Sequence, residues 1–432
     1  KKLTQLAYYD NLTGLPNKDY LKEFLSKKNK MKDNKNQAIL LINFNNFGLI
    51  NLSYGYKYGD EIIKEISERL KVILDSNNKL FRFTADRFII YAQNYEDKKD
   101  LIRFVKKIEK AINTSEELRE LNNQIGLEIG IVEFDGRKES IDKILKNASI
   151  TINNIKNGNR YEFFDDKMEE RIKREDIIEK ELRDIVNEKD NKSFYLKYQP
   201  IYNLETGKIA AFEALARMNS KKFGTISPVE FIDIAEKRQL IIPLSELILK
   251  KAVWFSSKLD RLGLKNVNIS INISGIQLLQ NDFTDNIISI VEKYNANPEN
   301  IKLEITESIL FDNFELINKK LEKLRKHNFK VVLDDFGTGY SSFYRLKELN
   351  LDALKIDRSF INKITTSSPN KILVDDIISM GHKLGLKVVA EGVEIEEEKE
   401  YLIKNNCDAV QGYLYSRPVI EREAIELLNK EC

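Results

Sequence analysis

The sequence of 432 residues predicts an α+β domain followed by an α/β barrel of the TIM type, (β/α)8. The chain is longer than one hydrophobic core usually requires, which favours two domains. Its first part, to about residue 166, mixes strand and helix patterns as a sheet covered by helices does. After Phe194, eight mostly apolar strands alternate with helical patterns. This alternation is typical of a parallel sheet, and its length of roughly 240 residues suits a barrel.

The first domain contains apolar strand patterns at residues 38–44 and 127–134 and a hairpin pattern at residues 80–92. Residues 60–74 and 141–155 carry the periodicity of amphipathic helices. We therefore expect one sheet with helices packed against it.

A charged segment at residues 167–189 follows the first domain. It carries an apolar stripe at Met168, Ile172, Ile177, Ile178, Leu182, Ile185 and Val186. The stripe favours a linker helix packed on one side, and a solvated spacer between domains is an equally good interpretation. We place the domains at residues 1–166 and 191–432, with the linker helix at residues 167–190.

The eight predicted barrel strands are residues 195–201, 209–217, 267–273, 301–305, 331–335, 353–357, 388–391 and 409–413. Helical patterns such as residues 314–327 and 372–384 lie between them. A doubly wound open sheet is the structural alternative. Polar residues follow nearly every strand, and a barrel brings all the C-terminal strand ends to one point, whereas an open sheet spreads them along an edge. The barrel is therefore favoured.

The composition sets limits on compartment and partners. The 70 basic and 68 acidic residues nearly cancel, which gives no reason to expect DNA or an anionic membrane as a partner. Two cysteines and no long apolar run or signal peptide favour a reducing cytoplasm. The chain begins with Lys1 inside a helical pattern, so we expect a preceding segment, such as a sensory or membrane-anchoring module.

Histidine is nearly absent, which narrows the chemistry. His327 and His382 lie in charged helical stretches, where a helix-terminal or surface role is favoured. We therefore discount a histidine metal site and a Ser-His-Asp triad. Any metal in this protein must be bound by oxygen.

Oxygen-bearing side chains converge at the ends of five barrel strands. They are Glu213, Asn272, Glu304, Asp334, Asp335 and Glu391. Five carboxylates with few cations among them repel one another, and bound Mg²⁺ or Mn²⁺ resolves the repulsion. The adjacent pair Asp334-Asp335 suits two divalent ions about 3.5–4 Å apart, the usual arrangement for displacement at a phosphodiester.

Lys355 ends another strand of the predicted barrel and fits a role in positioning the attacking water. The alternative is an ordinary ion pair with Asp357 or Asp335. The triplet Asp335-Phe336-Gly337 matches the Asp-Phe-Gly signature of kinases, but no other kinase motif accompanies it. The glycines in residues 336–342 instead favour a mobile loop after the fifth strand.

Residues 193–432 resemble the EAL domain, the cyclic-di-GMP phosphodiesterase family, through every one of these motifs in order. The resemblance implies that Glu213, Asn272, Glu304 and Asp334 hold one ion, and that Asp334, Asp335 and Glu391 hold the second. It also implies that Lys355 and Glu391 contact the nucleophilic water and that Glu307 steadies the loop of residues 335–342.

The same resemblance implies a dinucleotide pocket lined by Gln199, Arg217, Asp357, Glu394, Gln411 and Pro418. The chain departs from the family at Met218, Tyr415 and Arg417, none of which is a metal ligand. The implied activity is hydrolysis of cyclic di-GMP to linear pGpG. A non-catalytic cyclic-di-GMP receptor is the alternative. Relatives in this family commonly dimerise near the fifth strand, so a homodimer is expected.

Residues 3–166 resemble the GGDEF domain, the diguanylate cyclase family, which implies a nucleotide-cyclase-like antiparallel sheet with helices. The entry motif matches at residues 10–17, and Asn51 and Asp60 match guanine-binding positions. The signature loop, however, reads Thr84-Ala85-Asp86-Arg87-Phe88, so its glycines are lost and a cation replaces a metal carboxylate.

Asn43 replaces the other metal aspartate of that family, and the product-inhibition motif is absent at residues 75–78. We therefore expect no cyclisation of GTP, which argues against a bifunctional cyclase and phosphodiesterase. Two interpretations of the first domain stay open: it binds GTP as a regulator through Asn51 and Asp60, or it is a scaffold without a ligand.

Overall fold

Two compact units make up the chain, Lys1–Arg174 and Glu175–Cys432, here called the first unit and the barrel unit. The structure is a computed structural model that describes residues 7–30, 36–45, 47–114, 126–135, 139–155, 159–190, 192–307, 314–337, 348–362, 364 and 370–431. Within these ranges, no helix combines the length and the apolar character needed to span a bilayer.

The first unit contains a five-stranded sheet. Its strands are β1 (Gln37–Phe44), β2 (Asn78–Thr84), β3 (Arg87–Gln93), β4 (Leu127–Phe134) and β5 (Tyr161–Phe163), in the order β2-β3-β1-β4-β5. All neighbours are antiparallel except β4 and β5. Every residue of the central strand β1 is buried, because helices cover both faces of the sheet.

The helices of this unit are α1 (Lys18–Lys30), α2 (Phe47–Tyr54), α3 (Tyr56–Val72), α4 (Lys98–Asn113) and α5 (Ile141–Asn153). Side chains alternate across β1, so Leu40 and Ile42 join a core with α3 and α4, while Ile39 and Leu41 join a second core with α1 and α5. The predicted sheet with packed helices is confirmed. Helices α1, α2 and α4 were not among the sequence predictions.

A long helix, α6 (Asp166–Val186), occupies most of the predicted linker. The division between the two units falls inside it, between Arg174 and Glu175. Beyond that point Ile178, Leu182 and Ile185 are at most 1% exposed and belong to a core of the barrel unit. This half of the helix is therefore packed and is not a solvated spacer.

The barrel unit contains nine strands. They are β6 (Phe194–Asn203), β7 (Ile209–Ser220), β8 (Gly224–Ile226), β9 (Asn268–Ile273), β10 (Ile301–Thr306), β11 (Lys330–Phe336), β12 (Ala353–Ile356), β13 (Lys387–Glu391) and β14 (Ala409–Gln411). They pair in the order β6-β14-β13-β12-β11-β10-β9-β7-β8, and β6 also pairs with β7. Eight strands thus close into a barrel, as predicted, and β8 extends β7 as a hairpin.

The first barrel strand runs against the others, which corrects the expectation of an all-parallel sheet. Strand β6 is antiparallel to both of its neighbours, β7 and β14. The other neighbouring pairs in the barrel, β7–β9, β9–β10, β10–β11, β11–β12, β12–β13 and β13–β14, are parallel. Only residues 204–208 connect β6 to β7. A parallel connection needs a crossover of about a dozen residues or more, so this short link enforces a hairpin.

The helices of the barrel unit after α6 are α7 (Pro228–Lys237), α8 (Ile241–Arg261), α9 (Gly275–Leu279), α10 (Phe283–Lys293), α11 (Phe314–Lys326), α12 (Arg358–Ile361), α13 (Asn370–Lys383), α14 (Glu396–Lys404) and α15 (Glu421–Glu431). Helix α10 is followed by a short 3-10 helix at Pro298–Asn300. Helices such as α8, α11 and α13 share a large core with the outward-facing side chains of the strands.

A small apolar layer fills the barrel beneath the polar site. It consists of Ile201, Ala211, Val389 and Ala409. Side chains two residues apart on a strand face the same side, so the next inward layer contains Gln199, Glu213, Glu391 and Gln411. The fold thus stacks the predicted polar residues directly on an apolar floor.

Candidate active site in the barrel

The barrel brings the predicted acidic residues to one place. Glu213, Glu304, Asp334 and Glu391 come from four different strands, and their carboxylates surround the ammonium of Lys355 on a fifth. Parallel pairing places Glu304 beside Asn272 and Thr306 beside Asp334, which aligns these strand ends. The site therefore follows from the strand register.

Lys355 lies at the centre of the acidic cluster. Its Nζ is 2.5 Å from Glu391 Oε1, 2.8 Å from Glu304 Oε2, and 3.3 Å from both Glu213 Oε2 and Asp334 Oδ1. The lysine is only 1% exposed. Neither partner proposed for an ordinary ion pair, Asp335 or Asp357, is among these four contacts. Lys355 instead serves as the shared counter-charge of the site.

The charges of the site are strongly coupled. Burial opposes the charge of Lys355, but the carboxylates led by Glu213 outweigh it and hold the pKa of Lys355 well above its usual range. Burial raises the pKa of Glu304 to about 8 and that of Glu391 to about 8, in spite of the lysine. One ammonium thus does not compensate all the carboxylates around it.

Glu213 differs from Glu304 and Glu391. Burial disfavours its charge, but Lys355 and the amides of Gln411 and Asn272 outweigh that cost and lower the pKa of its carboxyl. Asn272 Nδ2 donates to Glu213 Oε1 at 2.7 Å, and Gln411 Nε2 donates to Glu213 Oε2 at 2.7 Å. Glu213 is therefore held in its ionised form more firmly than Glu304 or Glu391.

Two predicted pocket residues, Gln199 and Gln411, form an amide chain inside the barrel. Gln411 Nε2 also donates to Gln199 Oε1 at 3.2 Å, and Gln199 Nε2 donates to the carbonyl of Ser416 at 3.2 Å. Both side chains are buried. In this arrangement the two amides orient Glu213 and the segment that precedes Pro418.

The pair Asp334-Asp335 lies at an irregularity of the barrel. The register of β11 and β12 shifts between Leu333 and Phe336, and Asp335 adopts a positive φ of 53°. Such a conformation costs about 1 kcal/mol or more for a residue other than glycine and is frequent at functional sites. Burial, together with Asp334 and Asp357, raises the pKa of Asp335.

The register shift between β11 and β12 brings the two aspartates together. Oxygen atoms of Asp334, Asp335 and Glu391 lie within 4.8 Å of one another. Regular alternation would send two consecutive side chains to opposite faces of the strand. The bulge instead lets both aspartates reach the same site.

The oxygen donors fit divalent cations. Glu304 Oε1 and Asp334 Oδ1 are buried without a hydrogen-bond partner among the described residues, although Asp334 Oδ1 is 3.3 Å from the lysine ammonium. Unpartnered buried carboxylate oxygens are costly unless a cation compensates them. The amide nitrogen of Asn272 is used by Glu213, which leaves its Oδ1 as a possible ligand.

Glu307 is buried and contacts the start of the predicted mobile loop. Its Oε2 accepts a hydrogen bond from the Gly337 amide at 3.1 Å. Gly337 has a positive φ of 98°, which suits glycine. Residues 338–342 of that loop lie outside the described residues.

The other predicted pocket residues are less buried than Gln199 and Gln411. Arg217 is half-buried, and its NH1 donates to the carbonyl of Ala216 at 2.8 Å. Asp357 Oδ1 caps α12 by accepting from the Ser359 amide at 2.9 Å. Glu394 is exposed and Pro418 is half-buried.

In the first unit, a guanidinium takes the place expected for a metal. Arg87 Nε donates to Asn43 Oδ1 at 3.0 Å, and the two residues are paired in register on β3 and β1. Asn43 Nδ2 in turn contacts Asn45 Oδ1 at 2.5 Å and Glu128 Oε2 at 3.4 Å. Arg87 and Asn43, the two predicted replacements of metal-binding acids, thus face each other and form a hydrogen bond.

The two guanine-binding candidates of the first unit lie near each other. Asn51 on α2 packs over Gly59, where an added Cβ would lie 2.1 Å from Asn51 Oδ1. Asp60 follows Gly59 on α3 and is exposed. The sequence prediction did not include Glu128, which strand register alone places opposite Asn43.

Family models match both parts of the chain. Residues 181–418 match the EAL domain, and residues 7–162 match the diguanylate cyclase, GGDEF domain. The chain therefore belongs to the EAL domain family, with a GGDEF domain preceding the barrel.

Curated relatives share this arrangement. The cyclic di-GMP phosphodiesterase NbdA of Pseudomonas aeruginosa is 33% identical over 424 residues, which cover 96% of this chain and 53% of NbdA. The bifunctional diguanylate cyclase/cyclic di-GMP phosphodiesterase MucR of the same organism is 30% identical over 428 residues, which cover 97% of this chain and 61% of MucR. The chain thus spans between half and two thirds of the length of these relatives.

Solved structures are similar as well. The PaMucR phosphodiesterase in complex with c-di-GMP is 33% identical with a TM-score of 0.55, and the match covers 57% of this chain and 99% of that one. The EAL enzyme Bd1971 bound to cAMP and cyclic-di-GMP is 29% identical with a TM-score of 0.57, covering 80% and 82% of the two chains.

Proposed function

We propose that this protein is a cyclic-di-GMP phosphodiesterase that hydrolyses its substrate to linear pGpG with the help of two Mg²⁺ or Mn²⁺ ions. The observation that supports the proposal most directly is the cluster of four carboxylates around buried Lys355 at one end of a barrel. The names of NbdA and of the PaMucR complex are consistent with it.

In this proposal Glu213, Asn272, Glu304 and Asp334 hold one ion, and Asp334, Asp335 and Glu391 hold the other. When bound, divalent ions neutralise phosphodiester charge and make water a better nucleophile. Because its pKa is raised, Lys355 keeps its proton and donates a hydrogen bond to the water oxygen. Glu391, 2.5 Å from that ammonium, accepts from the same water. The water oxygen forms a bond to phosphorus and passes a proton to Glu391 while the P–O3′ bond breaks, and the leaving 3′ oxygen takes up a proton from bulk water.

The substrate is held by residues around this site. Arg217 offers a guanidinium for a phosphate or guanine, and Asp357 and Glu394 offer carboxylates for guanine N–H groups. Gln199, Gln411 and Pro418 shape the floor and edge of the pocket. Glu307 anchors the loop that begins at Gly337.

Chromatography of cyclic di-GMP incubated with the purified chain and Mn²⁺ or Mg²⁺ tests the proposal. We expect pGpG to accumulate with metal and not with EDTA, and Glu213→Ala to abolish the reaction while the circular dichroism spectrum is unchanged. A protein that binds cyclic di-GMP in calorimetry and never converts it would be the non-catalytic receptor instead.

For the first unit, we propose a regulatory role without cyclase activity. The Arg87–Asn43 hydrogen bond supports this, because it fills the place where two acids would hold a metal. GTP, bound through Asn51 and Asp60, would then raise hydrolysis severalfold within a homodimer, a coupling of about 1–3 kcal/mol. Asp60→Ala should remove the rise and keep the basal rate. Formation of cyclic di-GMP from GTP by the Glu213→Ala variant would show the cyclase assignment to be wrong.

A further inference from the structure

A cavity of about 280 Å³ lies on the outer side of the barrel wall, between β6, α8 and the start of α15. Its lining includes Tyr195, Leu196, Tyr198, Lys251, Trp254 and Glu421. Tyr198 and Gln199 are consecutive on β6 and face opposite sides of the strand. The cavity is therefore separate from the carboxylate site, which lies inside the barrel.

Tyr198 brings an unused hydrogen-bond donor to the cavity. The residue is only 2% exposed, and its ring packs on Phe255 with centroids 4.0 Å apart. Its hydroxyl has no hydrogen-bond partner in the part of the chain that the structure describes. Burial, together with the carboxylate of Glu421, raises the pKa of Tyr198, so the hydroxyl keeps its proton and donates. Because Tyr198 lines the cavity, this hydroxyl is available to a ligand that offers an acceptor there.

Lys251 adds a positive charge without a carboxylate of its own. Among the described residues it forms no ion pair, whereas Glu421 is paired with Lys258. Lys258 also lies 5.2 Å from the ring centroid of Trp254. The acid of the cavity is thus neutralised by Lys258, and the net charge that remains for a ligand is positive.

The cavity walls are aromatic. Tyr195, Tyr198 and Trp254 contribute rings. Trp254, the single tryptophan of the chain, is 38% exposed and can therefore contact a ligand. Rings of this kind bind flat apolar groups by stacking or edge contacts. A ligand that combines a flat ring with one negative charge therefore satisfies all three features of the cavity.

We propose that this cavity binds a small aromatic carboxylate, with the ring against Trp254 and the carboxylate accepting hydrogen bonds from the Tyr198 hydroxyl and the Lys251 ammonium. The site lies close to the proposed substrate pocket along the chain. The backbone of Tyr198 exchanges two hydrogen bonds with Val419, at 2.7 and 2.9 Å, next to Pro418. Binding does not require metal, substrate or phosphodiesterase activity.

Benzoate serves as the probe, and the fluorescence of Trp254 serves as the readout. We expect a saturable change with a dissociation constant of about a millimolar or tighter, as befits a small ligand. Benzyl alcohol, which has the ring without the charge, and acetate, which has the charge without the ring, should each bind at least about tenfold more weakly.

Variants locate the site. Tyr198→Phe and Lys251→Met should each weaken benzoate binding about tenfold or more. Lys250→Met is the matched control, because Lys250 pairs with Glu246 at 2.7 Å and does not line the cavity. Circular dichroism checks the fold of Tyr198→Phe. Lys251→Met tests the site while the packed ring of Tyr198 stays in place.

Three results would overturn the proposal: no saturable fluorescence change, equal binding of benzyl alcohol, or equal loss in the Lys250→Met and Lys251→Met variants. Because the readout is fluorescence without metal or cyclic di-GMP, a failure here is distinct from a failure of the proposed hydrolysis.

Discussion

Replacing Lys355 with methionine removes the ammonium that contacts four carboxylates, and no second cation contacts this cluster among the described residues. Breaking a buried ion pair by removing one partner costs about 3–5 kcal/mol, because a buried charge is left uncompensated. Domains of this kind are stable by only about 5–15 kcal/mol. In EDTA at about pH 8, Lys355→Met should therefore be marginally stable or unfolded.

The loss should depend on pH in a defined direction. The pKa values of Glu304 and Glu391 are raised to about 8 in the folded, metal-free barrel, whereas unfolded glutamates titrate near 4.3. Between these values the folded state binds more protons, so the contribution of these groups to stability is present at low pH and is lost as pH rises through about 8. Lysine removal raises both pKa values further, so the variant should lose stability more steeply with pH.

Divalent ions should narrow the difference in stability between the variant and the wild type. Mn²⁺ at a hundredfold excess over its dissociation constant stabilises a folded protein by about 2.7 kcal/mol. If Mn²⁺ binds as proposed, the ammonium of Lys355 in the wild type competes with it for the same carboxylate oxygens. The variant should therefore gain more stability from Mn²⁺ than the wild type does, while its hydrolysis rate falls.

Urea unfolding followed by Trp254 fluorescence reports on the barrel unit, since Trp254 is the single tryptophan. Lys302→Met is a matched control: burial lowers the pKa of Lys302 to about 8, and the structure gives it no ion pair within the described ranges. Removing the Lys302 ammonium should leave the free energy of unfolding unchanged or increase it. A loss below about 1 kcal/mol for Lys355→Met in EDTA at pH 8 would refute the reasoning.

Three further changes test other parts of the argument. Asp334→Asn should lower the rate of cyclic-di-GMP hydrolysis about a thousandfold or more and weaken Mn²⁺ binding in calorimetry, since this carboxylate is proposed to bridge both ions. Gly412→Ala should lower the free energy of unfolding in urea by about 1–3 kcal/mol or more, because the new Cβ would lie 1.9 Å from the Val393 carbonyl oxygen. Gly207→Ala is the control: Gly207 has a positive φ but open space around it, so the loss should be only about 1 kcal/mol. Leu182→Ala should destabilise the barrel unit by about 2–5 kcal/mol, and an unchanged midpoint would show that this half of α6 is not part of its core.

The strands were predictable because each is an apolar run bounded by charged or turn residues. Strand β4 was predicted at its observed bounds, Leu127–Phe134, and β1 differs by one residue. The direction of β6 was not predicted, because apolar runs do not show which way a strand points. The short connection at residues 204–208 was the available signal, and it was not used.

The residue types of the site were predictable, but their partners were not. Six oxygen donors at strand ends indicated a cation site, whereas the central position of Lys355 depends on the register of five strands. Gln411 orients Glu213 across 198 positions of sequence, which no local pattern reveals. The positive φ of Asp335 likewise arises from a strand irregularity that the sequence does not announce.

Acidic sites of this kind raise the question of how the chain folds before a metal binds. In the barrel, one ammonium faces four carboxylates, so the site can form without metal and still retains unsatisfied negative charge. In the first unit, Arg87 hydrogen-bonds Asn43, and neither residue is acidic. Arg87 already places a positive charge there, so it would repel a divalent ion. The same chain thus contains one site whose carboxylates exceed the nearby positive charge and one where a guanidinium and an amide occupy the predicted metal positions, which is why we propose hydrolysis in the barrel and regulation in the first unit.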